Sequence, residues 1–297
     1  MAVLPFFNIT ALKIKPWQLY TLTTTLFWGV WGAFIEIPEK NGFPATLGYA
    51  VWAFTMVPCA IVALYIIRWK VEWNLSAAVA GSIVGFSGAG GQLMLFQALR
   101  DGPAYIVFPI VSLYPVVTVI LSVLFLKETT NRRHWAGIAL ALVAILLLSY
   151  SPPSHTGARG LQWLLLAIGV FLSWGVQAYV MKAANATMKA ESIFFYMMLT
   201  GLLLVPVAVA MTDFRVAVNW GWNGPGLAAA IQALNAIGAL TLVYALRYGK
   251  AIIVVPITAL APVITIVLSL VIYGVFPAPV IIAGLCLAVL AIYLLAE

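Results

Sequence analysis

Residues 98–122 read ALRDGPAYIVFPIVSLYPVVTVILS, and residues 245–269 read ALRYGKAIIVVPITALAPVITIVLS. The two segments lie 147 positions apart and are identical at more than half of their 25 positions. Apolar residues align easily by chance, whereas arginine, glycine and proline at a fixed register do not. The matched pairs of that kind are Arg100 and Arg247, Gly102 and Gly249, Pro109 and Pro256, and Pro115 and Pro262.

A second match, at a shift of 146 positions, supports a duplication. Trp28-Gly29-Val30 aligns there with Trp174-Gly175-Val176. We therefore interpret the chain as two copies of one unit, residues 1–150 and residues 151–297.

The composition indicates a membrane protein. Of the 297 residues 64% are hydrophobic and only 8% are charged, whereas a soluble domain carries about 25% charged residues. Lipid must therefore replace water over most of the surface. A helical span needs about 20 apolar residues, and the apolar runs are about that long, roughly twice what a barrel strand needs. The sequence predicts ten helical spans, at 18–37, 45–67, 76–99, 103–126, 134–150, 161–182, 191–211, 225–247, 251–273 and 277–296.

Five spans in each copy predict an inverted repeat, because an odd number makes the second copy enter the membrane from the opposite side. Many secondary transporters are built in this way, with the substrate site near the midplane between the repeats. With the amino terminus inside the cell, eleven of the fifteen basic residues fall on the cytoplasmic side and four on the other. The positive-inside rule then places both termini in the cytoplasm of a bacterial-type inner membrane. We therefore attribute the net charge of +7 to the orientation of the protein in the membrane. No nucleic-acid partner is expected.

The chain resembles the drug/metabolite transporter superfamily, in particular its ten-span EamA-type members. The resemblance rests on the two Trp-Gly pairs, on the Ala-Leu-Arg-x-Gly motif closing the third and eighth spans, and on the two prolines of the fourth and ninth. It also rests on LKETTNRRHWAGIALALVAILLL (126–148). The resemblance implies a central cavity lined by spans 1, 3, 4, 6, 8 and 9 with parts of 2 and 7. Spans 5 and 10 would be peripheral. One departure is Tyr273-Gly274-Val275-Phe276, which replaces the charged pair Lys127-Glu128 of the first copy.

Polar and aromatic residues within the spans are the candidates for substrate binding. A buried amide is costly unless it is paired, so these groups either bond to neighbouring helices or line a polar cavity. The candidates are Trp28, Trp31, Glu36, Gln92, Tyr114, Trp174, Gln177, Tyr179, Gln232, Asn235 and Tyr244. The candidate hinges or gates are Pro109, Pro115, Pro256 and Pro262, since a proline inside a helix removes a backbone hydrogen bond. Fixed kinks that shape the bundle are the alternative interpretation of these prolines.

Glu36 is the only carboxylate clearly within a predicted span. An ionisable residue in a membrane segment is a functional candidate by default. However, Glu36 lies near the end of the first span, from where its side chain can reach the interface. Without Glu36 no carboxylate is expected at the midplane, so a facilitator and a proton-coupled carrier remain equally open.

We expect an alternating-access carrier of a small neutral or zwitterionic metabolite, with amino acid export as one form of it. The first alternative is an organic-cation carrier, in which aromatic walls and Glu36 hold the cation. The second is a membrane scaffold that transports nothing. An enzyme is not expected, because no nucleophile, phosphate-loop or metal-ligand motif is found. No cofactor or metal is expected either, and Cys59 and Cys286 have no cysteine or histidine neighbours. The protein is expected to be a monomer or a homodimer.

Overall fold

A computed structural model describes residues 14–150, 160–273 and 277–296, and every regular element in these ranges is a helix. A short π-helical turn, Trp222–Gly226, leads into α11. The helices are α1 (Pro16–Phe34), α2 (Glu36–Lys40), α3 (Ala45–Ile66), α4 (Leu75–Asp101), α5 (Ala104–Ser112), α6 (Tyr114–Phe125), α7 (Arg132–Leu148), α8 (Gln162–Ala184), α9 (Ala190–Leu203), α10 (Val205–Ala210), α11 (Leu227–Tyr248), α12 (Ala251–Thr258), α13 (Pro262–Tyr273) and α14 (Pro279–Ala296).

The chain is a multi-pass membrane protein. Within the described ranges, seven helical segments are long and apolar enough to cross a bilayer, since a span takes about 20 residues at 1.5 Å each. Three other helices, α1, α7 and α14, are shorter or less apolar and lie within the same bundle. The seven segments are Ala45–Ile66, Leu75–Asp101, Ala104–Phe125, Gln162–Ala184, Ala190–Ala210, Trp222–Tyr248 and Ala251–Ile272.

The helices begin and end within a few residues of the predicted spans, but four of the predicted spans are broken into two helices. The first span breaks at Ile35, and the others break at Leu113, at Leu204 and at residues 259–261. A proline follows each of the last three breaks at the first or second position of the next helix, where no intrahelical hydrogen bond needs its missing N–H. Pro115 and Pro262 are two of these. Pro109 and Pro256 instead lie inside α5 and α12.

The two halves of the chain are interleaved. From the first half, α1 packs against α11 and α13, and from the second half α8 packs against α4 and α6. Glycines make both contacts close, because a Cβ on Gly29 would strike Ile264 of α13 and a Cβ on Gly175 would strike Val117 of α6. Small residues at such positions let membrane helices approach each other. The helix pair α7 and α14 packs along the side of this arrangement.

Candidate functional site

A cavity of about 400 Å³ lies among these interleaved helices. This volume is within the range of about 300–1,000 Å³ found for small-molecule sites. Residues of α1, α3, α4, α6, α8, α9, α11, α12 and α13 line it, and in the described part of the chain α7 and α14 contribute none. The cavity therefore lies where the first and second halves of the chain meet.

Two tryptophans form matching parts of the cavity wall. Trp28 Nε1 donates to the backbone oxygen of Asn235 at 3.4 Å, and Trp174 Nε1 donates to that of Gly88 at 3.3 Å. Each indole packs on a glycine of the same partner helix, since an added Cβ would meet Trp28 at Gly238 and Trp174 at Gly91. Both rings are consequently fixed in place by a hydrogen bond and by close packing.

Further aromatic residues surround this pair. Tyr114 lies edge-on to Trp174, with 5.9 Å between the ring centroids, a geometry that aromatic pairs favour. Trp31 and Trp52 also line the cavity. The indole Nε1 of Trp52 is buried and has no hydrogen-bond partner among the described residues.

Three side-chain amides complete the polar part of the wall. Gln92, Gln177 and Asn235 line the cavity, and the described part of the chain provides no hydrogen-bond partner for their amides. An amide in an apolar environment costs free energy unless a ligand or water bonds to it. None of the lining residues in the described ranges is charged. The cavity therefore suits a molecule with hydrogen-bonding groups and no uncompensated net negative charge.

The structure brings seven of the eleven candidates to the cavity wall, with Gln232 directly behind it. Gln232 is only 5% exposed and accepts a 3.0 Å hydrogen bond from Trp31 Nε1. Of the four candidate prolines, only Pro262 is a lining residue. The seven candidates at the wall are Trp28, Trp31, Gln92, Tyr114, Trp174, Gln177 and Asn235.

The other three candidates lie away from the cavity wall. The Glu36 side chain is 70% exposed and pairs with Lys40 at 2.7 Å, because both belong to the short helix α2, which lies beyond the end of α1. Glu36 thus reaches the surface from the end of the first span and is not among the lining residues. Tyr179 lies against Phe125, with 6.1 Å between the ring centroids. Tyr244 points toward the end of the bundle where α9 begins.

We call the end of the bundle where α9 begins and α11 ends the lower end. A cluster of side chains lies there that the sequence analysis did not predict. Tyr20 stacks on Tyr244 and Tyr248, with centroid distances of 5.1 and 5.9 Å. Tyr244 donates a 2.7 Å hydrogen bond to Glu191 Oε1. We call these four residues the lower closure. The sequence signal that could have indicated this cluster is Glu191, a carboxylate at the first position of the predicted span 191–211.

The turn between α11 and α12 is held beside the lower closure. Lys182 Nζ donates to the backbone oxygens of Leu246 at 2.9 Å and Gly249 at 2.7 Å. Glu128 accepts from the backbone N–H groups of Ala251 and Ile252, each at 3.1 Å. A cation thus lies at the end of α11 and an anion at the start of α12, and both placements stabilise helix termini.

A polar link outside the membrane helices joins two loops at the same end. Glu72 pairs with Lys189 at 3.3 Å, and Tyr196 donates to the Glu72 backbone oxygen at 2.8 Å. Burial tends to raise the pKa of Glu72. The hydrogen bonds from Ser192 and Lys189 together with the Lys189 charge outweigh burial and hold the pKa below its ordinary value. In the described ranges no group of three or more His, Cys, Asp or Glu side chains is arranged to hold a metal ion.

The described membrane helices enclose, between two interleaved halves, a cavity with no charged lining residue, and this arrangement suits a membrane transport protein. The chain belongs to the EamA-like transporter family, whose sequence profile matches residues 15–150 and again residues 161–296. This family lies within the drug/metabolite transporter superfamily. Its members are transporters and not enzymes.

Individual relatives agree with this assignment. An uncharacterized transporter of Archaeoglobus fulgidus is 26% identical over 167 residues, covering 54% of this chain and 58% of that protein. An uncharacterized protein of Methanocaldococcus jannaschii is 49% identical over 61 residues, covering 20% and 44%. The chain thus spans about half the length of these two relatives. A solved crystal structure, 17% identical, shares the fold with a TM-score of 0.77 over 93% of this chain and 94% of the other.

Proposed function

We propose that the protein is a secondary carrier that moves a small neutral or zwitterionic metabolite by alternating access. Amino acids are one such class. The observation that carries this proposal is the cavity wall, which combines three unpartnered amides with aromatic rings and contains no charged side chain in the described ranges. Sites of this kind hold polar but uncharged groups by hydrogen bonds.

In alternating access, one half of the protein opens the site to one side of the membrane and the other half opens it to the opposite side. We therefore propose ten spans in two inverted repeats, residues 1–150 and 151–297. Two contacts support this arrangement. Thr265 donates to the Gly29 oxygen at 2.8 Å, and Thr118 donates to the Gly175 oxygen at 2.9 Å. The donors lie 147 positions apart and the acceptors 146. The two separate matches of the family profile favour the same division.

The proposed location is the cytoplasmic membrane, with both termini in the cytoplasm. The support is the distribution of basic residues, eleven on one side and four on the other. In this orientation the lower closure lies between the cavity and the cytoplasm. The protein would act as a monomer or a homodimer within the bilayer.

Purified protein reconstituted into liposomes tests the proposal. We expect counterflow of a radiolabelled neutral amino acid or similar metabolite from a panel, and loss of most of that counterflow in Asn235→Leu. Gln162→Leu is the matched control, because Gln162 is an exposed amide at the start of α8, outside the lining set. Absence of counterflow for every compound in the panel would reject the carrier.

An organic cation is the second candidate substrate, because Trp28, Trp31, Trp52 and Trp174 all line the cavity. A tryptophan face attracts a desolvated cation by about 2 kcal/mol or more. No anionic side chain among the described residues lines the cavity, and Glu36 is exposed and paired with Lys40. In this case Glu36→Gln leaves transport of a quaternary amine unchanged, while Trp31→Leu abolishes it.

A further inference from the structure

Two carboxylates in the described part of the chain are buried to the same degree, and their surroundings differ. Glu128 and Glu191 are each 9% exposed. Glu128 receives two backbone N–H groups at the start of α12, and the positive charge of Lys182 acts on it. Its negative charge is therefore compensated in the manner required of a buried ion.

Glu191 has a single side-chain hydrogen bond, from the neutral hydroxyl of Tyr244 at 2.7 Å. In the described ranges no cation lies within 4 Å of its carboxylate. A buried charge with one neutral donor is poorly compensated, and binding a proton removes that charge. The negative charge of Glu191 is thus compensated by one neutral donor, whereas that of Glu128 is compensated by two backbone N–H groups and a nearby cation.

The charged and titratable groups around Glu191 come from several elements. Lys189 is occupied by Glu72, Arg247 donates to the Met188 backbone oxygen at 3.1 Å, and Lys182 bonds to the turn after α11. Helix α3 contains no charged residue, and the charged residues of α4 lie at its opposite end. Tyr244 of α11 contacts Glu191 directly, and Tyr20 of α1 stacks on Tyr244 and Tyr248 beside it, while Arg247 of α11 and the loop residues Glu72 and Lys189 lie at the same end of the bundle and bond to other groups.

The position of Glu191 connects it to the substrate cavity. It lies on α9 six residues before Met197, and its partner Tyr244 lies on α11 two residues after Leu242. Met197 and Leu242 both line the cavity. Tyr20, stacked on Tyr244, comes from the first half of the chain, while α9 and α11 come from the second. A change at Glu191 therefore acts on the contact between the two halves, directly below the cavity.

We propose that Glu191 is the proton-binding site through which this protein couples substrate movement to a proton gradient. This inference rests on the proposed function. When Glu191 is ionised, Tyr244 donates to a carboxylate, and such charge-assisted bonds are the stronger kind. Proton binding converts the carboxylate into a neutral acid, weakens this bond and loosens the lower closure. One proton is taken up and later released in each cycle, and no other bond changes.

Infrared titration tests proton binding without any substrate. Purified wild-type protein in lipid is expected to show the band of a protonated carboxyl group that disappears as pH rises. Glu191→Gln should remove one component of this band, and the control Glu72→Gln, in the loop link, should remove only a separate component at lower pH. Tyr244→Phe is a second variant that retains the acid and should move the band to a different pH. An unchanged band in Glu191→Gln overturns the proposal.

Transport in liposomes tests coupling, with a pH-sensitive dye trapped inside. Wild-type protein should carry protons together with the labelled metabolite. Glu191→Gln should retain counterflow and lose both the proton movement and the acceleration by a pH gradient. Proton movement that survives in Glu191→Gln overturns the coupling role. If the wild type moves no compound while the infrared band still depends on Glu191, the carrier proposal fails and the proton site stands.

Discussion

Thr265 donates a 2.8 Å hydrogen bond to the backbone oxygen of Gly29, which joins α13 to α1 at the cavity. Thr118 and Gly175 make the same contact between α6 and α8. Replacing either threonine by valine keeps the shape and removes the bond, so Thr265→Val and Thr118→Val should each lower the free energy of unfolding by about 1 kcal/mol. Thermal unfolding in detergent measures this. Thr23→Val is the control, because Thr23 bonds only within α1. A loss confined to one of the two threonines would contradict the equivalence of the contacts.

Gly90 and Gly91 are neighbours with different surroundings. A Cβ at Gly91 would lie 2.5 Å from Trp174 Nε1, whereas a Cβ at Gly90 would meet nothing within 4 Å. Gly91→Ala should displace the indole, destabilise the protein by about 1–3 kcal/mol and weaken substrate binding. Gly90→Ala should be neutral or stabilise by up to about 1 kcal/mol, because alanine favours the helix. Equal effects of both changes on unfolding temperature would show that Trp174 does not pack as described.

Gln92 and Gln177 are expected to bond to the substrate. Because their amides have no hydrogen-bond partner among the described residues, replacing either by leucine removes a ligand contact without breaking a protein hydrogen bond. Each variant should weaken binding by about two- to tenfold, as measured by the concentration of unlabelled substrate that halves counterflow. Stability should be retained in both. A strong loss of stability with unchanged affinity would mean that the amides serve helix packing instead.

Stability should depend on pH through Glu72. The pKa of Glu72 is lowered in the folded protein from its ordinary value of 4.5, so the link to Lys189 contributes in full above that value. This contribution to the free energy of unfolding is lost as pH falls through the lowered pKa, because the Glu72 carboxylate of the folded state then binds a proton and no longer pairs with Lys189. The unfolding temperatures of wild type and Glu72→Gln should therefore differ at neutral pH and converge in acid. A difference that persists in acid would exclude the ion pair as its source.

Pro262 is expected to act as a hinge. It begins α13 directly after the break that follows α12, and it lines the cavity. Pro262→Ala lets the helix run on, so counterflow should slow by about tenfold, equal to about 1.4 kcal/mol in the barrier, with affinity unchanged. Pro58→Ala is the control, because α3 continues unbroken past Pro58. If both variants transport at the wild-type rate, the proline only fixes the shape of the bundle.

Much of the architecture could be predicted because it depends on local pattern. Apolar runs separated by short polar segments located the helices, and the repeated Trp-Gly pair identified Trp28 and Trp174 before their contacts were known. Pro115 and Pro262 indicated irregular helices, although the extent of each break depended on packing. Each of these features depends on the sequence of only a few neighbouring residues.

The charged residues were harder to place, because their burial depends on distant partners. Glu36 lies at the end of the first predicted span but belongs to α2, where its exposed side chain pairs with Lys40. Glu191 also stands at the edge of an apolar run, yet it is buried because Tyr244, 53 positions away, and the stacked Tyr20 cover it. Hydropathy along the chain assigns both glutamates to an interface and cannot distinguish them.

The interleaving of the halves also sets an order of assembly. The hydrogen bond between Gly29 and Thr265 spans 236 positions, and that between Trp31 and Gln232 spans 201. A ribosome adds about 5–20 residues per second, so α1 enters the bilayer roughly 10–50 seconds before its partners on α11 and α13 exist. During that interval its glycine face and its tryptophan N–H groups have no native contacts. Helix α1 is therefore made well before its partners and is among the last of the described helices to reach its final packing.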